Sequence, residues 1–209
     1  MIVKPLQRLE YLPCLQAMQQ FTASRTESSE DEVWLVEHPP VFTLGLAGKP
    51  EHLLAPGDIA IVNTERGGQV TYHGPGQLVA YVMFDLRRLH LTVKGLVCLL
   101  EKAAIRYFAN LGINTVTKAS APGVYIKLPD QSPGAKIAAL GLKVSRGCSF
   151  HGIALNIDMN LEPFSRINPC GYAGLEVTSV AQQIPQSPTL HQASEGFTKA
   201  LLAEIESIE

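Results

Sequence analysis

A chain of 209 residues with 46% hydrophobic and 17% charged positions holds enough apolar material for one folded domain, and that balance excludes intrinsic disorder. Its formal net charge of −2, with an isoelectric point near 6.3, excludes the basic footprint of a general nucleic-acid binder while leaving room for a local basic patch. The first ten residues have no apolar run of signal-peptide length and no later run reaches a membrane span, so a soluble, cytoplasmic protein without membrane contact is expected.

In chain order, Leu6, Leu9, Leu12, Leu15, Met18 and Phe21 repeat every three residues and predict a first amphipathic helix over residues 6–22, with Cys14 packed on it. A polar loop from Ser24 to Glu32 leads to Val33-Trp34-Leu35-Val36, a short strand buried on both faces. His38-Pro39-Pro40 ends it, because proline disfavours helix before it and donates nothing to a ladder. Val41 to Gly45 reads as a strand, the stretch through Gly48, Pro50, Pro56 and Gly57 as a surface excursion or lid, and Ile59 to Val62 as a further strand. Leu78 to Phe84 is the most apolar strand and belongs in the middle of a sheet.

Thr92 caps a helix running to about Asn110, with Leu96, Leu99, Leu100, Ala103 and Phe108 on its buried face, Cys98 expected as a core thiol and Gly112 as its stop. Short strands follow at 115–117 and 123–127. An antiparallel pair follows at Lys136–Ser145 and Ser149–Ile157, then an irregular stretch from Asn160 to Gly174, a strand or turn at 175–178, and a terminal helix beginning near Ser187-Pro188. Strands grouped between helices, with few β-α-β alternations, predict an α+β fold in a single domain, residues 1–209, with mixed sheets flanked by helices.

Arg66 to Tyr81 stands apart. It reads Arg-Gly-Gly-Gln-Val-Thr-Tyr-His-Gly-Pro-Gly-Gln-Leu-Val-Ala-Tyr, a strand-forming run interrupted by four glycines and a proline. Glycine weakens a strand unless the backbone needs positive φ or a ligand lies against it. The glycines alone fit a bulged hairpin; with Arg66, Tyr72 and His73 the stretch reads as a binding loop. It lacks the Lys-Ser ending of a P-loop and the third glycine of a dinucleotide fingerprint, so it gives ATP use little local support.

Cys170, in Asn168-Pro169-Cys170-Gly171-Tyr172, has the setting of a reactive loop thiol, and such a thiol needs a cationic or basic neighbour to become a thiolate. Lys136, His73 and His151 are the candidates. Taken alone, Lys136 is a surface lysine at a strand edge and His151 a core histidine. His38, His52, His90 and His191 show no partner pattern, no Cys-x-x-Cys occurs, and no metal-ligand spacing is present, so no metal site is expected.

Four blocks, Arg66 to Gln77, Lys136-Ile-Ala-Ala-Leu-Gly141, His151-Gly-Ile-Ala-Leu-Asn156 and Pro169-Cys170-Gly171, together resemble the lipoyl(octanoyl) transferases, as do His38 to Gly45 and Thr178-Ser179. The resemblance spans most of the chain; it departs at Val82-Met83, where a proline would be expected, and at Tyr125, where tryptophan is common. It implies the fold of the biotin and lipoate protein ligases. It also implies transfer of an octanoyl group from acyl carrier protein to a lysine of lipoyl domains, those of 2-oxoacid dehydrogenase E2 subunits and of the glycine cleavage H protein, with no cofactor. Cys170 matches the nucleophile and Lys136 the lysine that lowers its pKa. Arg66, Gly67, Gly68, Gln69, Val70, Thr71, Tyr72 and His73, with Ala139, Leu140, Gly141, Gly152, Ile153 and Ala154, match the substrate-binding segments. The rival readings are an ATP-dependent lipoate or biotin ligase on the same fold, a cysteine hydrolase, and a non-catalytic scaffold. Arg87, Arg88, Lys143 and Arg146 are the candidate cations for docking an acidic protein partner.

Overall fold

The chain forms, in order, β1 (Ile2–Arg8), α1 (Tyr11–Ser24), β2 (Glu32–Glu37), β3 (Val41–Leu44), β4 (Ala60–Asn63), β5 (Val70–His73) and β6 (Gln77–Met83). It continues through α2 (Val93–Asn110), β7 (Thr115–Thr117), β8 (Gly123–Lys127), β9 (Pro133–Ser145), β10 (Cys148–Asn156), α3 (Val180–Gln183) and α4 (Leu190–Glu206). This is a computed structural model, and it describes residues 1–119 and 121–208, without the side chain of Cys170. One mixed sheet runs β1-β2-β6-β10-β9-β8-β7 and a smaller one β4-β3-β5. The pairs β1–β2 and β3–β4 are parallel, and the remaining pairings antiparallel.

β6 organises the interior. Successive side chains of a strand point to opposite faces. Here Leu78, Ala80 and Val82 join α2 and α4 in one cluster, while Val79, Tyr81 and Met83 pack with Tyr11, Cys14, Leu15 and Met18 of α1 in another. With both faces covered and β2 and β10 alongside, every residue of β6 is buried, as its unbroken apolar run predicts. A third cluster, Phe42, Leu44, Val70 and Tyr72 with Phe164 and Ile167, fastens the small sheet.

Two expectations are corrected. Residues 2–8 are an edge strand and the first helix begins only at Tyr11, so the three-residue repeat spanned two elements. Pro5 fits the strand because the β1–β2 register shifts between Lys4 and Gln7, where no ladder donor is required. Cys98 is exposed: Leu96, Leu99, Leu100 and Ala103 hold the buried face of α2, and position 98 falls off it. The Thr92 side chain does accept from Gly95 N, as a cap should. α4 is capped by Thr189 with Gln192, two residues beyond Ser187. The stretch near residues 50–57 is tied down: Leu54 N and Ala55 N both donate to the Arg166 carbonyl and Asn168 N donates to His52 O. No helix among the described residues is long and apolar enough to cross a membrane.

Candidate active site

Two rows of small residues hollow out the large sheet. Across β9, β10 and β6, Ala139 faces Ala154 and then Val79, and Gly141 faces Gly152 and then Tyr81. Over this floor lies a cavity of ≈ 500 Å³ with a mainly apolar lining, in the usual range for a small-molecule site. Gly152 admits no side chain, because a Cβ there would strike the Ala80 carbonyl. At Gly141 a Cβ would stand 2.9 Å from Arg66 Cδ and 3.1 Å from Gly67 O. Glycine at 141 therefore lets the loop 66–69 lie directly on β9, where Gly67 N donates to Leu142 O at 2.8 Å.

Arg66 roofs the cavity and is buried. Its Nη2 donates to Thr43 O (2.7 Å), Thr43 Oγ1 (2.8 Å) and Gln69 O (2.8 Å), and its Nη1 to Gly67 O (3.0 Å). Charge-assisted bonds of this kind are stronger than neutral ones, and these bind the glycine loop to β3. Of the predicted positions 66–73, all but Tyr72 line the cavity, as do Ala139, Leu140, Gly141, Gly152, Ile153 and Ala154. Tyr72 packs instead between Phe42 and Phe164, each ring centroid 5.5 Å away.

Lys136 is no surface lysine. It is 3% exposed and lines the cavity, near the start of β9. Its backbone N donates to Glu176 O (2.8 Å) and its carbonyl accepts from Thr178 N (2.9 Å). The chain that follows residue 170 thus returns to grip the lysine. Nζ donates to Pro122 O at 3.2 Å and stands 5.0 Å from the centroid of the Tyr125 ring, a cation–π contact at the position where the sequence departs from tryptophan. Nearby, Gly123 N donates to Glu101 Oε1 at 2.9 Å. Burial raises the Glu101 carboxyl pKa, and the Gly123 amide and the Lys136 charge oppose that rise.

The Cys170 side chain lies outside the described residues. Its neighbours are described: Gly171, at φ +78°, abuts Gln69, whose Cγ would be 3.0 Å from a Cβ there, and Tyr172 lines the cavity.

The opposite wall was not predicted as a unit. Tyr11 stacks on His73 at 5.8 Å, and Tyr81 stands edge-on to His151 at 6.2 Å. Behind them His38 Nδ1 donates to Leu9 O (2.6 Å), which leaves Nε2 to accept from Tyr81 Oη (2.7 Å). Burial is the main cause that lowers His38 and His151 to about 4 and His73 to about 3, so all three are neutral imidazoles near pH 7. His38 shows no local pattern because its partners lie far off in sequence. The signal present was His73 and His151, each beside a glycine in the quoted blocks.

A buried polar chain connects the two walls. Gln77 Nε2 donates to Asn156 Oδ1 (2.9 Å) and Tyr72 O (3.3 Å), so Gln77 Oε1 accepts from His73 Nδ1 (2.7 Å). Asn156 Nδ2 donates to Thr178 O at 2.9 Å, and Thr178 N in turn holds the Lys136 carbonyl. Among the described residues, no three His, Cys, Asp or Glu side chains gather in a way that would hold a metal ion.

The description "lipoyl protein ligase A/B catalytic domain" fits residues 10–202. An octanoyltransferase of Ectopseudomonas mendocina (strain ymp) is 54% identical over 205 residues, 98% of this chain and 97% of its own. One of Dechloromonas aromatica (strain RCB) is 52% identical over 98% of this chain and 97% of its own. Among solved structures, the bi-partite lipoate protein ligase of Thermoplasma acidophilum superposes with a TM-score of 0.73 at 15% identity, covering 100% of this chain and 91% of that one. A biotin protein ligase of Aquifex aeolicus gives 0.60 at 10% identity over 98% of this chain and 70% of that one. Likeness at such identities shows the fold, which is the α+β class with mixed sheets and flanking helices.

Proposed function

The chain belongs to the lipoyl protein ligase A/B catalytic-domain family and is an acyltransferase that moves octanoyl groups in protein lipoylation, and from that premise we propose the route the acyl group takes. The donor is octanoyl-acyl carrier protein, the nucleophile Cys170, and the acceptor the target lysine of a lipoyl domain, carried by 2-oxoacid dehydrogenase E2 subunits and the glycine cleavage H protein. Residues 1–209 act as one catalytic domain in the cytoplasm.

The Cys170 thiolate attacks the carbonyl carbon of the carrier thioester. A C–S bond to Cys170 forms, the carrier's C–S bond breaks, and the departing thiolate takes a proton from Lys136. The acyl-enzyme has the same bond type as the donor, so this half is nearly isoenergetic. The acceptor amine then attacks, the amide C–N bond forms, the Cys170 thiolate leaves, and the amine's proton returns to neutral Lys136. Thioester to amide runs downhill and needs no ATP. At about 0.8 kcal/mol per buried methylene, the octanoyl tail contributes roughly 5 kcal/mol of gross binding on the Gly and Ala floor.

The observation that carries this reading is the burial of Lys136 on the wall of an apolar cavity, with its backbone gripped by the segment 176–178 that follows Cys170. The test is intact-mass spectrometry after incubation with octanoyl-acyl carrier protein. An octanoyl adduct mapped to Cys170 is expected; no adduct, with ATP-dependent adenylate formation instead, would assign the chain to ligase chemistry. The expected docking cations are in part committed elsewhere. Arg87 pairs with Asp85 (2.9 Å), Arg88 donates to Ser29 O (2.9 Å) and Arg146 to Ala23 O (2.6 Å).

A further inference from the structure

A carboxylate lies buried on the helix behind Lys136, and the transfer route makes no use of it. Glu101 is 8% exposed, on the face of α2 that carries Leu96, Leu100, Ala104 and Phe108 into the core. It is not part of the cavity lining, which Val97, one turn earlier, does reach. A carboxylate withdrawn from water costs free energy unless it is paired, so its partners matter.

One peptide group joins it to the lysine. Gly123 N donates to Glu101 Oε1 at 2.9 Å, and the carbonyl of that same peptide unit, Pro122 O, accepts from Lys136 Nζ at 3.2 Å. None of the described peptide bonds is cis, and in a planar trans peptide the N–H and C=O point in opposite directions. Carboxylate and amine therefore stand on opposite sides of one rigid unit. A carboxylate bound at the N–H polarises the group and makes its carbonyl oxygen a stronger acceptor for a cation. Gly123 also lets the lysine lie there, at a φ of +142°: a Cβ would stand 3.0 Å from Lys136 Cε and 2.8 Å from Ala138 O. The Lys136 charge in turn opposes the rise that burial causes at the Glu101 carboxyl. Other titratable side chains near the pair are Tyr125, whose hydroxyl donates to Ala121 O (2.9 Å), Lys118, 5.9 Å from the Tyr125 ring, and Glu176, which is exposed.

We propose that Glu101 is a positioning residue for Lys136: its carboxylate fixes the Pro122–Gly123 peptide by the N–H, and its charge, passed through that peptide and across space, favours the ammonium form of the amine that must protonate the departing carrier thiolate. This rests on the transfer route given above. Glu101 itself touches no reacting atom.

Glu101→Gln separates charge from scaffold, because a glutamine oxygen can still accept from Gly123 N. The measurement is the single-turnover rate of Cys170 octanoylation from octanoyl-acyl carrier protein, followed by intact mass from neutral to alkaline pH in wild type and variant. A nearby opposite charge raises an amine's pKa by about one unit or more, so without it the amine loses its proton at lower pH. The ratio of wild-type to variant rate should grow with pH, to roughly tenfold on the alkaline side, one unit of pKa being a factor of ten. A ratio independent of pH, whether one or larger, overturns the proposal, since a scaffold defect lowers the rate equally throughout. A second measurement needs no variant: in wild-type NMR spectra, the Gly123 amide proton and the Lys136 Cε should share an inflection at the pH where the Glu101 carboxyl titrates. Absence of that inflection at Lys136 overturns the proposal whether or not Glu101→Gln folds. No octanoyl adduct on wild-type Cys170 would instead overturn the transfer route, and the proposal with it.

Discussion

The two ends of the cavity are built from different titratable groups, a lysine at one and histidines at the other. At one, Lys136 brings its amine into a buried site lined by the Pro122 carbonyl and the Tyr125 ring. At the other, the His38 and His73 rings stand 6.0 Å apart, His151 lies on the same wall as His73, and burial holds all three neutral. A histidine with a pKa of 3 or 4 is a poor base at neutral pH. Under the proposed route the proton passes through Lys136, beside the Cys170 loop, and the histidine end is left to shape the cavity. This contrast also weighs against a cysteine hydrolase, for which a histidine base would be more usual than lysine.

Removing the chemistry from the first end should have the largest effect. Cys170→Ala and Cys170→Ser should abolish transfer, and Lys136→Ala should cut the rate by roughly 10²–10⁴-fold, both measured by octanoylation of a lipoyl domain. Full activity in any of the three would erase the distinction between the ends. Next is the floor between them. Gly152→Val forces a side chain into the Ala80 carbonyl, which should cost about 1–3 kcal/mol or more of stability and lower the thermal midpoint clearly; an unchanged midpoint would mean the strands part without penalty.

The histidine end has its own signature in acid. Each imidazole has a folded pKa below its ordinary value of 6.5, so between about pH 6.5 and pH 4 the unfolded chain binds more protons than the folded one. Stability should be fully present above pH 6.5 and fall progressively toward pH 4. Denaturant midpoints over that range check it, and a flat profile would show that these rings are not buried neutral. Asn156→Ala tests the link between the ends: it leaves Thr178 O and Gln77 Nε2 short of partners, which should cost about 1–3 kcal/mol and lower kcat more than it alters KM. Smallest of all, Cys98→Ala should shift stability by no more than about 0.5 kcal/mol. A thiol reagent should label Cys98 well before Cys14, which is buried and whose pKa burial pushes up to about 12.

Local features were readable where the chain itself carries them. Thr92 and its capped amide lie three residues apart, and the apolar run of β6 announces an interior strand. The small floor residues were found through the blocks that carry the family resemblance, but their joint purpose appears only when cross-strand register puts Gly141 beside Gly152. Lys136 looked like an edge lysine because Pro122, Tyr125 and Thr178 come to it from other elements. His38 was passed over for the same reason, its partners being Leu9 and Tyr81. The first helix was misplaced because Leu6 and Leu9 continued a spacing that α1 takes up only at Tyr11. Cys98 is a different error: the buried positions already named on α2 leave it off their face, and residue type was allowed to outweigh position.

A floor made of Gly141, Gly152, Ala139 and Ala154 works as a ratchet on inheritance. Two of its members have no side chain to lose and two have a single methyl, so nearly every codon change beneath the ligand makes the chamber smaller. A lineage that comes to accept bulkier tails must do so by remodelling the roof around Arg66 or the rings opposite, and the pleated base should stay small whichever cargo is favoured.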